Sequence, residues 1–295
     1  MACVDYDMFE KILEIVKNSS KESFEQTCRK IETCINFGKN FIAALRQIAI
    51  IPEAISHDSS EEKLFSKASD MLLARAFREL GLKSIVLRER GDSDDVIAES
   101  KYFNYTLVAD AKAFRLSRTA KNQKDFKVFA LSSWKQENNF AVLCAPYFQY
   151  PVMTSQIYSQ ALANNVCLFS WEHLIFLIEH NIKEKSNINL SEIWNFSETL
   201  SKHVLVSDMK KNFLPAFNEF IAEFLRIDSK IFDESLKSQI LAIIKRAEIE
   251  KTFWLDEIQR IKNYSRKQAI NELIKSRKIQ EKLSHIETFI ESIRQ

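Results

Sequence analysis

Residues 105–127 read YTLVADAKAFRLSRTAKNQKDFK, and the rest of the chain is organised around them. The stretch opens with an apolar run, Tyr105–Ala109, of strand length and composition. It then sets an acid and a lysine two apart, Asp110-Ala111-Lys112. Basic residues follow at every third position: Lys112, Arg115, Arg118, Lys121, Lys124 and Lys127, with Asp125 as the one acid among them. On a strand, residues two apart share a face, so Asp110 and Lys112 point the same way and Ala111 points opposite. A strand that delivers a carboxylate and a lysine to one spot and feeds a basic segment suits phosphodiester chemistry on nucleic acid.

Working outward, Ser84–Leu87 and Asp95–Ala98 precede this run, and Phe140–Ala145 and Val166–Phe169 follow it. All are short, apolar and rich in strand-favouring residues. Between them lie helical patterns, including 60–80 and Thr154–Asn164. Ser59 with Glu62 three residues on predicts a capping box for the first of these, and Gly81 predicts its stop. The fold class expected is α/β, a mixed central β-sheet flanked by helices. Helices are also expected before it, over 5–50. After it come Trp171–Ile182, a polar connector around Lys183–Ser207 that holds Trp194, and helices over Phe213–Ile227, Ile231–Ile261, Arg266–Lys275 and Ile279–Ile293. The domain reading is a helical segment at 1–51, a core at 52–182 and a helical C-terminal region at 183–295, packed as one unit.

Composition removes several functional classes. Three glycines, Gly38, Gly81 and Gly91, and four prolines in 295 residues leave no Gly-rich phosphate loop and do not suit a turn-dense all-β fold. A net charge of +2 means that any nucleic-acid surface is a local patch balanced elsewhere. No stretch approaches the roughly 18 apolar residues of a membrane span, and acids occupy the positions where a signal peptide needs positive charge. Cytoplasm is expected. Five cysteines without a CxxC pair predict thiols rather than disulfides, and the scattered histidines do not have zinc-ligand spacing.

The acid-x-Lys triplet occurs six times in the chain, so the triplet by itself selects nothing. Asp110 differs from the other five acids because it closes an apolar strand, and because Asp95 begins the strand before it. Two carboxylates brought together there repel unless a cation lies between them. Oxygen donors without His or Cys favour Mg²⁺, with Mn²⁺ as a substitute. A lysine alongside can hold a nucleophilic water and offset charge on phosphorus. Local chemistry leaves a second reading standing, an Asp110–Lys112 salt bridge at a strand end.

The basic segment also has two readings, a solvated loop and a phosphate-tracking strip. A spacing of three precesses about 60° per step on an α-helix, so the cations form no single helical stripe. Asn122, Gln123, Lys124 and Asp125 carry groups able to read base edges.

Longer motifs narrow these alternatives. PEAI (52–55), EKLFSKASDMLLARAF (62–77), LVADAKAFRLSRTAKNQKDFKVFALSSW (107–134), APYFQYP (145–151) and LFSWEHL (168–174) closely resemble the HindIII family of type II restriction endonucleases. The resemblance continues more loosely through IWNF (193–196) and VSDMKKNF (206–213). It implies the PD-(D/E)xK nuclease core, with Asp95 as first acid, Asp110 as second and Lys112 as the lysine. Asp94 stands where that formula has its proline, and Asp92 and Asp94 make the run before Val96 unusually acidic. The metal ligands implied are Asp95, Asp110 and the Ala111 carbonyl, with Glu62 as a candidate further acid. The DNA contacts implied are Arg118, Ala120, Lys121, Asn122, Lys124, Asp125 and Lys127. The family further implies a homodimer, a double-stranded DNA substrate with AAGCTT as target, Mg²⁺ and a cognate DNA methyltransferase in a bacterial cytoplasm. Competing readings are a nicking or repair endonuclease of the same superfamily and a catalytically inactive DNA-binding protein.

Overall fold

The computed structural model describes residues 7–87, 96–118, 123–151, 155–202 and 206–294, with side chains described from 212 to 288 in the last of these. Three helices come first: α1 (Met8–Lys17), α2 (Phe24–Phe37) and α3 (Phe41–Ile48). In α1 the apolar residues Phe9, Ile12, Leu13 and Val16 are all buried, the face their spacing predicts. Ser23 and Gln26 close a full capping box on α2.

Next is α4 (Ser60–Glu79). Ser59 Oγ accepts from the Glu62 N–H at 3.1 Å, as expected of the N-cap. The reciprocal half differs: Glu62 Oε2 accepts from the Asp58 N–H at 2.7 Å, one residue earlier than a capping box requires. The carboxylate is drawn that way because its other oxygen meets Arg115, 53 residues along the chain. At the other end Gly81 turns the chain with φ +96°, a conformation open to glycine.

The sheet has five strands in the order β1-β2-β3-β4-β5: β1 (Lys83–Val86), β2 (Val96–Glu99), β3 (Thr106–Ala111), β4 (Phe140–Ala145) and β5 (Val166–Ser170). β1, β2 and β3 pair antiparallel, whereas β3, β4 and β5 pair parallel. The sheet is therefore mixed. β5 is buried throughout and β4 at every residue after Phe140, as strands covered on both faces must be. Between β3 and β4 lie α5 (Gln123–Phe126) and α6 (Val128–Trp134), and between β4 and β5 lies α7 (Gln156–Asn164). α4 packs on β1, β2 and β3, and α6 on β3, β4 and β5. Beyond β5 comes α8 (Trp171–Glu179).

The segment expected to be a polar connector is only partly so. It contains α9 (Ser191–Trp194) and α10 (Phe196–Ser201), and Leu190, Ile193, Trp194 and Phe196 are core residues. Trp194 meets Phe77 and Phe169 edge-on, with centroids 5.8 and 5.4 Å apart. These aromatics are dilute among polar residues in sequence, and long-range packing collects them. The same segment anchors the far end of β3. Buried Glu184 accepts from the hydroxyls of Ser100 and Tyr105 and from the Leu190 N–H at 3.2 Å, so its charge is met by donors on three sides.

α11 (Val206–Leu225), α12 (Ser229–Lys262), α13 (Arg266–Ser276) and α14 (Ile279–Arg294) complete the chain. Two compact units emerge, residues 1–247 and 248–295, with the boundary inside α12. In the second unit α13 packs against α14. Cys28, Cys34, Cys144 and Cys167 are free thiols. No helix among the described residues is long and apolar enough to cross a membrane.

Candidate active site

β3 ends at Ala111, still paired with β4. Its parallel register with β4 pairs Asp110 with Leu143 and Ala111 with Cys144, and the Lys112 N–H donates to the Cys144 carbonyl at 2.7 Å. Lys112 thus leaves the strand with its backbone still attached to β4. Its carbonyl accepts from the indole N–H of buried Trp171 at 2.9 Å. Both backbone groups of Lys112 are fixed, and its ammonium turns back onto the Asp110 carboxylate. Asp110 is 3% exposed, so desolvation makes the cation beside it valuable. The salt bridge envisaged as one of two local readings is present, and it sets the lysine and the acid at one spot, as the nuclease reading also requires.

The antiparallel ladder with β2 reaches Val96 opposite Ala109, one pair short of Asp110. Asp95, Asp92 and Asp94, with Ala120, Lys121 and Asn122 of the basic segment, lie outside the described residues.

The donor chemistry fits a hard cation. Asp110 offers carboxylate oxygen. The thiol beside the site, Cys144, is wholly buried and held well above its ordinary pKa, first by desolvation and then by the charges of Glu172, Cys167 and Asp110. It stays S–H and offers no thiolate to a softer metal. A separate cluster, His57, Asp58 and Glu62, brings ligand atoms within 4.8 Å of one another. Glu62 there is already engaged by the Asp58 N–H and by Arg115 at 2.8 Å.

The basic segment is paired rather than bare. Its first three cations each meet an acid: Lys112 with Asp110, Arg115 with Glu62, and Arg118 with Asp125. Arg115 is largely buried and also donates to the Pro52 carbonyl at 2.9 Å. The regular spacing of three is therefore not a row of phosphate contacts. Lys124 and Lys127 are exposed, and Lys127 holds a left-handed φ of +50° between α5 and α6. Asp125 lies on α5 beside Phe126, which is stacked on Tyr150 and set edge-on to Phe114.

Two supporting groups carry no signal in local pattern. One is Trp171, placed under Lys112 by the β5–α8 turn. The other is Glu53, buried, whose carboxylate accepts from the Ser117 N–H at 3.0 Å and the Ser117 hydroxyl at 2.8 Å. Both sit inside motifs that carry the family resemblance, WEHL and PEAI, and that is where a signal could have been sought.

Two comparisons bear on the site. A family model described as HindIII restriction endonuclease matches residues 6–290. The type II restriction enzyme HindIII of Haemophilus influenzae (strain ATCC 51907 / DSM 11121 / KW20 / Rd) is 45% identical over 287 residues, covering 97% of this chain and 96% of that protein.

Proposed function

The chain belongs to the HindIII restriction endonuclease family and is a type II site-specific deoxyribonuclease that uses a divalent metal; we propose that the metal is Mg²⁺, that the target is AAGCTT, and that two copies cut one strand each. The observation that carries the chemistry is the largely buried Asp110–Lys112 pair at the C-terminal end of β3. Asp110, Asp95 and the Ala111 carbonyl are the groups assigned to the cation. When bound, a cation there lowers the pKa of an attacking water and takes up charge on the phosphoryl group.

The residues of the chain do the rest. Lys112 presents its ammonium to the attacked phosphate or the water, held in place by Trp171 and the Cys144 carbonyl. In-line attack at phosphorus then leaves a 5′-phosphate and a 3′-hydroxyl. Residues 117–127 supply the DNA contacts. Lys121, Lys124 and Lys127 are assigned to phosphates and Ala120, Asn122 and Asp125 to base edges, with Arg118 holding the Asp125 carboxylate beside them.

A palindromic target calls for a two-fold dimer. The 248–295 unit offers apolar side chains for such a contact, since Trp254, Leu255, Ile261, Leu273 and Leu283 are each about half exposed. The enzyme would act in the bacterial cytoplasm beside a methyltransferase of the same specificity.

Digestion of a plasmid of known sequence with Mg²⁺, followed by sequencing of the ends, tests the reading. Double-strand breaks confined to AAGCTT are expected, lost on chelation and lost in Asp110→Asn. Nicks on one strand would overturn the dimer, cleavage elsewhere the target, and normal cutting by Asp110→Asn the site.

A further inference from the structure

We infer that Glu53 is a positioning residue for DNA recognition, clamping the point at which the chain leaves the catalytic strand and enters the reading segment. The inference rests on the assignment of residues 117–127 to DNA contact.

The turn after α3 runs beside the segment after β3 and is bonded to it at successive residues. The Phe114 N–H donates to the Ala49 carbonyl at 3.1 Å, and the Ile51 N–H donates to the Phe114 carbonyl at 3.3 Å. Arg115 Nη1 donates to the Pro52 carbonyl, and Ser117 donates twice to Glu53. The last contact differs in kind. Glu53 is a carboxylate only 7% exposed, whereas Ser117 is exposed. A buried carboxylate is costly unless donors meet it, so the Glu53 side chain holds a surface residue in one conformation through both its N–H and its O–H.

Ser117 is also where this hold has most effect. Five residues before it stands Lys112. One residue after it stands Arg118, bonded to Asp125, and Phe126 is locked between Phe114 and Tyr150. The described residues at the two ends of the reading segment, Ser117 and Phe126, are therefore each held, and Glu53 is the post at the catalytic end. Contacts to the correct base sequence need that register, and contacts common to all DNA do not. A Ser117 already held before DNA arrives lowers the ordering cost of the complementary complex.

The measurement is kcat/KM on AAGCTT and on a site with one base pair altered, for Glu53→Ala, Glu53→Gln, Ser117→Ala and Asp125→Ala. Glu53→Ala should lose on the order of tenfold on the correct site, the effect of one charged hydrogen-bond acceptor removed, with the altered site unchanged. Glu53→Gln, whose amide can accept from the Ser117 N–H and donate to its hydroxyl, should restore most of the loss. Ser117→Ala, at an exposed position, should lose about threefold and add little to Glu53→Ala, as coupled partners do. Equal losses on both sites in Glu53→Ala, or an unaltered Ser117→Ala, overturn the clamp. If Asp125→Ala leaves discrimination intact, the reading segment itself is misassigned, and the clamp fails with it.

Discussion

Glu172→Gln should stabilise the enzyme at pH 8 and make its stability more sensitive to acid. Glu172 and His173 are neighbours in the first turn of α8, and both are fully buried. Glu172 accepts from the Tyr147 N–H at 2.8 Å. His173 lies between the Ser170 hydroxyl at 2.8 Å and Asn218 Oδ1 at 2.9 Å. Desolvation pushes the Glu172 carboxyl from 4.5 up to about 7. It pushes the His173 imidazole from 6.5 down to about 4. Between pH 4.5 and 7 the folded state holds a proton on Glu172 that the unfolded chain has released, so this group's contribution falls as pH rises. Between pH 4 and 6.5 the unfolded chain holds a proton on the imidazole that the folded state refuses, so that contribution rises with pH. At about 1.4 kcal/mol per tenfold change in proton affinity, each slope amounts to about 3 kcal/mol, and the two oppose each other across their shared range. Glu172→Gln removes one slope and leaves the other. The variant should gain about 3 kcal/mol over the parent between pH 4.5 and 8. Urea unfolding followed by tryptophan fluorescence at closely spaced pH values measures the difference. A gap between the two proteins that stays constant with pH would refute the reasoning.

Three further outcomes follow from the same contacts. Trp171→Phe removes the donor to the Lys112 carbonyl, which should lower thermal stability by about 1–3 kcal/mol and lower kcat more than it raises KM. Arg115→Ala leaves the Glu62 carboxylate and the Pro52 carbonyl without their guanidinium. Because that ion pair is mostly buried, a loss of about 3 kcal/mol in chemical denaturation is expected, and an unchanged midpoint would count against it. Gly81→Ala puts a Cβ 2.8 Å from the Glu184 carbonyl oxygen at a φ of +96°. It should cost about 2 kcal/mol, read as a lowered melting temperature at unchanged unfolding slope.

Much of the fold was legible because its signals are local. All five strands appear within one or two residues of where apolar runs placed them, and α4 lies between Ser59 and Gly81 as expected, although Glu62 turns to the Asp58 N–H and leaves the capping box half made. β3 runs two residues past the apolar stretch, to Ala111, because β4 bonds it that far, and parallel pairing leaves no mark in adjacent sequence. Trp194 was invisible as a core residue for the same reason. In the site, spacing placed Asp110 beside Lys112, but the assignment of a role drew on resemblance as well as chemistry. Arg115 shows the limit most clearly. Its place in a regular basic series suggested a phosphate contact, and a glutamate 53 residues away claims it instead.

Those internal pairings also bear on how the enzyme treats DNA it should not cut. A cation matched to its own carboxylate must give up that partner before it can neutralise a phosphate and free the counterions condensed there, so it adds little to the drive that brings proteins onto any duplex. With about 0.9 in the salt exponent for each phosphate neutralised, Arg115 and Arg118, engaged by Glu62 and Asp125, should add less sequence-blind attraction than their place in the basic series suggests. A basic stretch that carries its own anions should let go of unrelated DNA readily, and leave the choice of where to stay to the bases.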